Sequence, residues 1–126
     1  MAVRVVAAAI VRDGTVLAAR RAAPLRLAGG WEFPGGKVEA GEDDATALVR
    51  ECAEELAVTV RVGAWLAAAP GDGIDLVLYA ATLAGGEPVA GADHDELRWL
   101  DAASLGDVAW LRADADLLPA VRPLLR

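Results

Sequence analysis

The chain alternates between short apolar runs and clusters of turn-forming residues. Val3 to Val11 is apolar apart from Arg4 and rich in β-branched residues, which predicts a strand covered on both faces. Asp13-Gly14 is a hairpin turn signal, Thr15 to Ala19 returns as the second strand, and Arg20 and Arg21 close it. Ala22 to Gly30, punctuated by Pro24 and Gly29-Gly30, reads as a loop and a candidate flap. Trp31 to Lys37 reads as a short strand entering a tight glycine turn. From Asp43 to about Ala57 the period changes: Ala45, Leu48, Val49, Cys52 and Leu56 recur at helical spacing, with Asp43 and Asp44 at the end where the dipole favours acids. Val58 to Ala69 and Ile74 to Leu83 are the next strands, bounded by the turns Pro70-Gly71-Asp72-Gly73 and Gly85-Gly86-Glu87-Pro88. An acidic loop from Ala92 leads into a strand ending at Leu100. Asp101 is placed to cap a short helix reaching Leu105, and Trp110 to Asp114 reads as a loop. Asp116 is placed to cap a last helix, with Pro119 in its first turn and Pro123 at a kink or end.

The helix of residues 43–57 carries more than a core face. At about 100° per residue, Glu51, Glu54 and Glu55 share one side, about a third of a turn from the apolar set. Like charges at i,i+4 cost about 0.2–0.5 kcal/mol when exposed and more in a cleft. A divalent cation removes that cost, and hard carboxylate oxygens suit Mg²⁺ or Mn²⁺. The competing reading is a solvated acidic face with Arg50 paired to Glu54.

Upstream of the helix stands Gly35-Gly36. The stretch GGKVEAGEDDATALVRECAEELAV, Gly35 to Val58, resembles the Nudix box: Gly, five residues, Glu, seven residues, Arg-Glu, an aliphatic residue, any residue, Glu-Glu, any residue, Gly, an aliphatic residue. Gly36, Glu42, Arg50, Glu51, Glu54, Glu55 and Val58 fall on it. Cys52 replaces an aliphatic residue, a mild change because free cysteine packs as a small hydrophobe. Ala57 replaces the glycine. In a left-handed helix end that costs about 1 kcal/mol, so a slightly different helix exit is expected.

The resemblance implies the Nudix fold, an α/β (α+β) arrangement with a mixed β-sheet sandwiched between helices, and one domain over residues 1–126. It implies a Mg²⁺-dependent hydrolase, with Mn²⁺ able to substitute. Glu54, Glu55 and the Gly35 carbonyl would hold the metal, Glu51 would be ligand or general base, and Arg50 would orient the carboxylates. Glu42 is expected to anchor the helix start, bonding the loop or Arg50. The family usually places an acid in the loop before the last core strand. Asp93 matches best, with Asp95 and Glu96 as rivals.

Charge narrows the partners. With 19 acids against 12 Lys and Arg, the net charge of −7 argues against a broad nucleic-acid-binding surface. It leaves room for a small anionic substrate, because a cation inverts the local field. The single cysteine, Cys52, excludes an internal disulfide framework and suits a reducing cytoplasm. The apolar start, interrupted by Arg4 and Arg12, reads as a strand rather than a signal or spanning segment. A small nucleotide substrate is expected, with no nucleic-acid polymer or membrane partner, in a monomer or homodimer.

Substrate contacts are fewer and weaker in the sequence. WEFPGGK, Trp31 to Lys37, resembles the nucleotide-sanitising MutT-type branch, and Leu111-Arg112-Ala113-Asp114 resembles the segment that contacts the base in MutT-type and CTP-hydrolysing relatives. Asp114 is therefore the base-reading candidate. Phe33 is either core or a platform beneath the base. Arg21 and Lys37 are candidates for phosphate, and Tyr79 for the substrate or for strand packing. The single histidine, His94, stands among surface acids and reads as a solvated residue. The expected reaction converts a nucleoside triphosphate to monophosphate and pyrophosphate, with 8-oxo-dGTP, (d)CTP or 5-methyl-dCTP as substrate, in nucleotide-pool sanitation. The alternatives are a Nudix hydrolase of another nucleoside diphosphate derivative and a non-catalytic nucleotide-binding module.

Overall fold

A computed structural model describes residues 2–71 and 73–126. Strand β1 (Val3–Arg12) is the spine. Its first eight residues pair in parallel with β6 (Ile74–Gly85), from Val3 opposite Ile74 to Ile10 opposite Ala81. On its other edge, Val5 to Ala7 pair antiparallel with β4 (Gly35–Lys37), and Val11 and Arg12 continue into the hairpin with β2 (Thr15–Arg21). Strand β5 (Thr59–Gly71) lies outside β6. Strands β3 (Trp31–Glu32) and β7 (His94–Leu100) flank β2. The expected mixed sheet between helices is the architecture found.

The apolar run in β1 is continuous because both faces are covered. Ala7 and Ala9 join a core with Phe33, Leu78, Leu105, Leu117 and Val121, while Val6, Ala8 and Ile10 join another under helix α1 (Asp44–Leu56). The turn at Asp13-Gly14 has positive φ at both residues, as a tight hairpin turn requires. The first core is closed by α2 (Arg112–Ala115), α3 (Leu118–Val121) and the turns between β7 and α2.

Helix α1 begins where the sequence indicates: the Asp43 carboxylate accepts from the Thr46 N–H at 2.8 Å. Its buried stripe is Ala47, Leu48, Cys52 and Leu56; Ala45 and Val49, assigned above to the apolar set, face solvent. The exit differs from expectation. Ala57 adopts the left-handed conformation (φ 58°) that the family's glycine would take, and its N–H bonds the Ala53 carbonyl.

Four other local expectations change. Residues 101–108 form turns rather than a helix. The Asp101 cap bond to Ser104 N–H forms at 2.9 Å, but the Leu105 carbonyl is taken by the Trp110 indole N–H at 2.7 Å and Gly106 follows. The Trp110–Asp114 segment is not all loop, because α2 starts at Arg112. Asp116 ends α2 instead of capping α3, which has no side-chain cap. Pro70 and Gly71 extend β5, and Asp72, the centre of the expected turn, lies outside the described residues. Among the described residues no helix is long and apolar enough to cross a membrane.

Candidate active site

Two close backbone approaches build the site. A Cβ at Gly35 would collide with the Val6 carbonyl, because β4 lies directly against β1. A Cβ at Gly36 would collide with the Glu51 carboxylate, which rests on that glycine. The glycine pair thereby brings the turn onto the acidic side of α1. The Gly35 N–H faces Glu55 Oε2 at 3.4 Å.

Arg50 organises the acids. Its Nε and Nη2 donate to the two oxygens of Glu42 at 2.8 and 2.9 Å, a bidentate fork across the start of the helix. Its Nη1 donates to Glu51 at 2.9 Å and Glu54 at 3.3 Å, and Nη2 also reaches the Lys37 carbonyl at 3.1 Å. The Arg50 bond, followed by the Glu39 N–H, lowers the Glu42 pKa to about 2. Glu54 is exposed and Glu51 half-buried. Burial pushes Glu55 up to about 8; among its neighbours His94 opposes the rise while Glu32 and Glu51 add to it. Beneath them, burial first and then Glu55 and Glu51 push the Cys52 thiol up to about 12, which leaves it an inert packing group.

Among the described residues no three His, Cys, Asp or Glu side chains converge closely enough to hold a metal ion between them, and Arg50 draws Glu51 and Glu54 to itself. The donor set nevertheless fits Mg²⁺. Three carboxylates share one helix side with the Gly35 peptide against the innermost, and Glu55 is an acid whose charge is costly until a cation balances it. Asp93 is not gathered with them: it is exposed, and its carbonyl accepts the Ala22 N–H at 2.8 Å. Of its rivals, Asp95 is paired to Arg20 at 2.7 Å, and Glu96 to Arg20 and Arg98.

A cleft of about 660 Å³ runs from this turn across the sheet. Phe33, Asp114, Ala7 and Leu76 line its interior. Arg26 and Leu27 line it from the loop of residues 22–30, and Arg21, Lys37 and Arg112 stand at its walls. The backbone ladder explains why Asp114 reaches Phe33. Trp31 N–H donates to the Ala109 carbonyl at 3.0 Å and Leu111 N–H to the Trp31 carbonyl at 2.9 Å, so the segment before α2 is stitched to β3. Asp114 Oδ1 then accepts the Phe33 N–H at 3.0 Å. Asp114 is 7% exposed, and burial pushes its pKa up to about 7, opposed by the Phe33 bond. Phe33 is itself core, with its ring 4.7 Å from Trp110. Lys37 is exposed. Arg21 is pinned, Nε to the Ala23 carbonyl at 2.8 Å and Nη1 to Glu32 at 3.0 Å.

Tyr79 does not belong to this cleft. On β6 it faces the α1 side, and its hydroxyl donates to Asp44 at 2.6 Å, where Arg4 forms a bidentate pair. The choice between substrate and packing goes to packing. His94 also departs from expectation: it is 4% exposed, and its Nε2 lies 2.8 Å from Glu32 Oε2. Sequence reasoning gave Glu32 no role and read His94 as solvated. The signal for Glu32 was its place between Trp31 and Phe33, since strand alternation sends it to the face opposite those two aromatics.

Comparison with known proteins places this arrangement. The NUDIX domain model matches residues 2–121. A Mycobacterium tuberculosis protein named putative 8-oxo-dGTP diphosphatase 2 is 51% identical over 118 residues, covering 87% of this chain and 81% of the relative. The CTP pyrophosphohydrolase of Escherichia coli is 52% identical over 65 residues, covering 52% of this chain and 48% of the relative. Among solved structures, the solution structure of the E. coli ORF135 protein superposes with a TM-score of 0.79 at 38% identity, covering 94% of this chain and 86% of that one. With the glycine turn, the acid helix and the cleft in one place, the chain belongs to the NUDIX family and is an enzyme, a Nudix hydrolase.

Proposed function

We propose that the chain converts a nucleoside triphosphate to its monophosphate and pyrophosphate, acting on 8-oxo-dGTP, on (d)CTP or 5-methyl-dCTP, or on both. The carrying observation is Asp114, buried at the floor of the cleft with Oδ1 on the Phe33 N–H, which leaves Oδ2 for the edge of a base. Ionised, that oxygen accepts from the exocyclic amine of cytosine or from the donors of an oxidised guanine. The names of the relatives point to the same two substrate classes.

Glu51, Glu54, Glu55 and the Gly35 carbonyl would hold Mg²⁺, with Asp93 an outer candidate. When bound, Mg²⁺ neutralises polyphosphate charge and acts as a Lewis acid. Glu51 takes the proton of the attacking water, and Arg50 fixes Glu51 against the turn through the Glu42 fork. Lys37, exposed at the cleft wall, meets a phosphate. Arg21 does so only by releasing one of its present partners. Phe33 supports the base from within the core. Residues 1–126 act as one domain, in the cytoplasm, as a monomer or homodimer.

A panel of common, 8-oxo and 5-methyl nucleoside triphosphates assayed with Mg²⁺ tests the reading. Turnover of an oxidised guanine or a cytosine nucleotide at least about tenfold above the others is expected, a preference of about 1.4 kcal/mol in the transition state. A flat panel, or hydrolysis of nucleotide sugars alone, would overturn it.

A further inference from the structure

Among the described residues His94 and Asp114 are the buried polar or charged side chains, and the reaction leaves His94 unused. Its position comes from a register shift. Arg20 pairs with Glu96, but the next pair is Arg21 with His94, so Asp95 is left over as a bulge. The bulge turns His94 out of the alternation of β7 and onto the face that Ala19 and Leu97 share. Ala19 pairs with Glu32 across β2 and β3, so Glu32 stands on that face too. His94 Nε2 and Arg21 Nη1 meet the same oxygen, Glu32 Oε2, at 2.8 and 3.0 Å. Among the described residues Oε1 has no protein donor, and Glu32 lines the cleft. The imidazole is enclosed, its side chain 1% exposed, and Nδ1 has no hydrogen-bond partner. An apolar side chain would fill that volume without an orphaned nitrogen, so packing alone does not account for a histidine here.

Glu32 occupies the joint of the site. It precedes Phe33, whose N–H holds Asp114, and it is electrostatically coupled both to Asp114 and to Glu55 on α1. The turn that follows carries Gly35 and Gly36 against the acids. Fixing Glu32 therefore fixes the register between the base-contacting half of the cleft and the acid helix.

We propose that His94 is a positioning residue for nucleotide hydrolysis, acting by donating Nε2–H to Glu32. The inference rests on the assignment of the cleft as the nucleotide site. A small displacement of β3 changes the fit of the reacting groups more than it changes substrate affinity. His94→Leu, which keeps the volume and removes the donor, lowers kcat by about tenfold or more with KM changed less than about threefold. His94→Gln, whose amide reaches Glu32, recovers to within about threefold of wild type, whereas His94→Asn, too short, does not. Adding His94→Leu to Glu32→Gln costs nothing further, since the two act through one bond. The side-chain ¹⁵N spectrum of the wild-type protein reports an Nε2-protonated ring. Thermal melts accompany each variant, and if the Leu form does not fold, the comparison of Gln with Asn decides.

Equal kcat for Gln and Asn, an unchanged kcat in folded His94→Leu, an additive loss in the double variant, or an Nδ1-protonated ring would overturn the proposal. Absence of wild-type turnover on every triphosphate in the panel would instead sink the substrate reading. The spectrum would then still report the His94–Glu32 bond.

Discussion

On the proposed reading, substrate choice turns on Asp114. Because Oδ1 is engaged by the Phe33 N–H, an Asp114→Asn side chain must keep its oxygen there and turn its NH₂ toward the ligand. A cytosine amine would then meet a donor, and kcat/KM for dCTP falls by at least about tenfold, the cost of leaving a buried donor unpaired. A guanine O6 would meet a new donor, and 8-oxo-dGTP loses less or gains. Steady-state kinetics on both nucleotides check this, and equal losses would remove Asp114 from base recognition. The same residue sets a pH dependence. Its folded pKa, about 7, lies above the ordinary aspartate value of about 3.9, so the folded protein keeps a proton that the unfolded chain releases. Stability from this group therefore falls as pH rises from about 4 to about 7 and levels off above. Urea denaturation at pH 5 and pH 8 should show a loss of stability, to which buried Glu55 also contributes, that is smaller in Asp114→Asn by on the order of 2 kcal/mol. An identical loss in the two proteins would contradict the burial argument.

At the scale of elements, the helix that carries the candidate acids ends in strain. Ala57 holds φ 58° where a Cβ is unfavourable. Ala57→Gly is expected to raise unfolding free energy by about 0.5–1 kcal/mol with kcat unchanged, measured by chemical denaturation and nucleotide turnover. No gain would mean that the exit relaxes in solution. Helix α1 and strand β1 were legible because their patterns are local: a helical stripe through Leu48, Cys52 and Leu56, and an apolar run through Val6 to Ile10. The expected helix after Asp101 was not, because the contact that diverts it, the Trp110 indole on the Leu105 carbonyl, forms with a residue beyond the segment. Tyr79 stayed between two readings, and His94 was misread as solvated, for a related reason. A strand's alternation says which residues share a face, not which face meets the cleft. The bulge at Asp95 exists only in the pairing of β7 with β2.

For the whole molecule, the sheet separates two tasks. One face packs α1, whose acids on the proposed reading address a polyphosphate; the other lies under α2 and α3 with Phe33 and Asp114, the proposed contacts for a base. The turn from Phe33 to Gly36 passes between them, so both halves of a nucleotide meet one short segment anchored on β1. The acid half was readable from the spacing of Arg50, Glu51, Glu54 and Glu55. The base half rested on Asp114, and the His94–Glu32 contact joining the halves depends on the bulge in β7 against β2, which no local pattern marks. The most direct test is the product and rate of triphosphate hydrolysis with Mg²⁺ in wild type and Glu51→Gln, followed by ³¹P NMR. The account predicts monophosphate and pyrophosphate in equal amounts, and a kcat lower by at least about 10² in a variant with an unchanged melt, as general-base loss requires. Orthophosphate with diphosphate as the products, or near-normal turnover by Glu51→Gln, would contradict it.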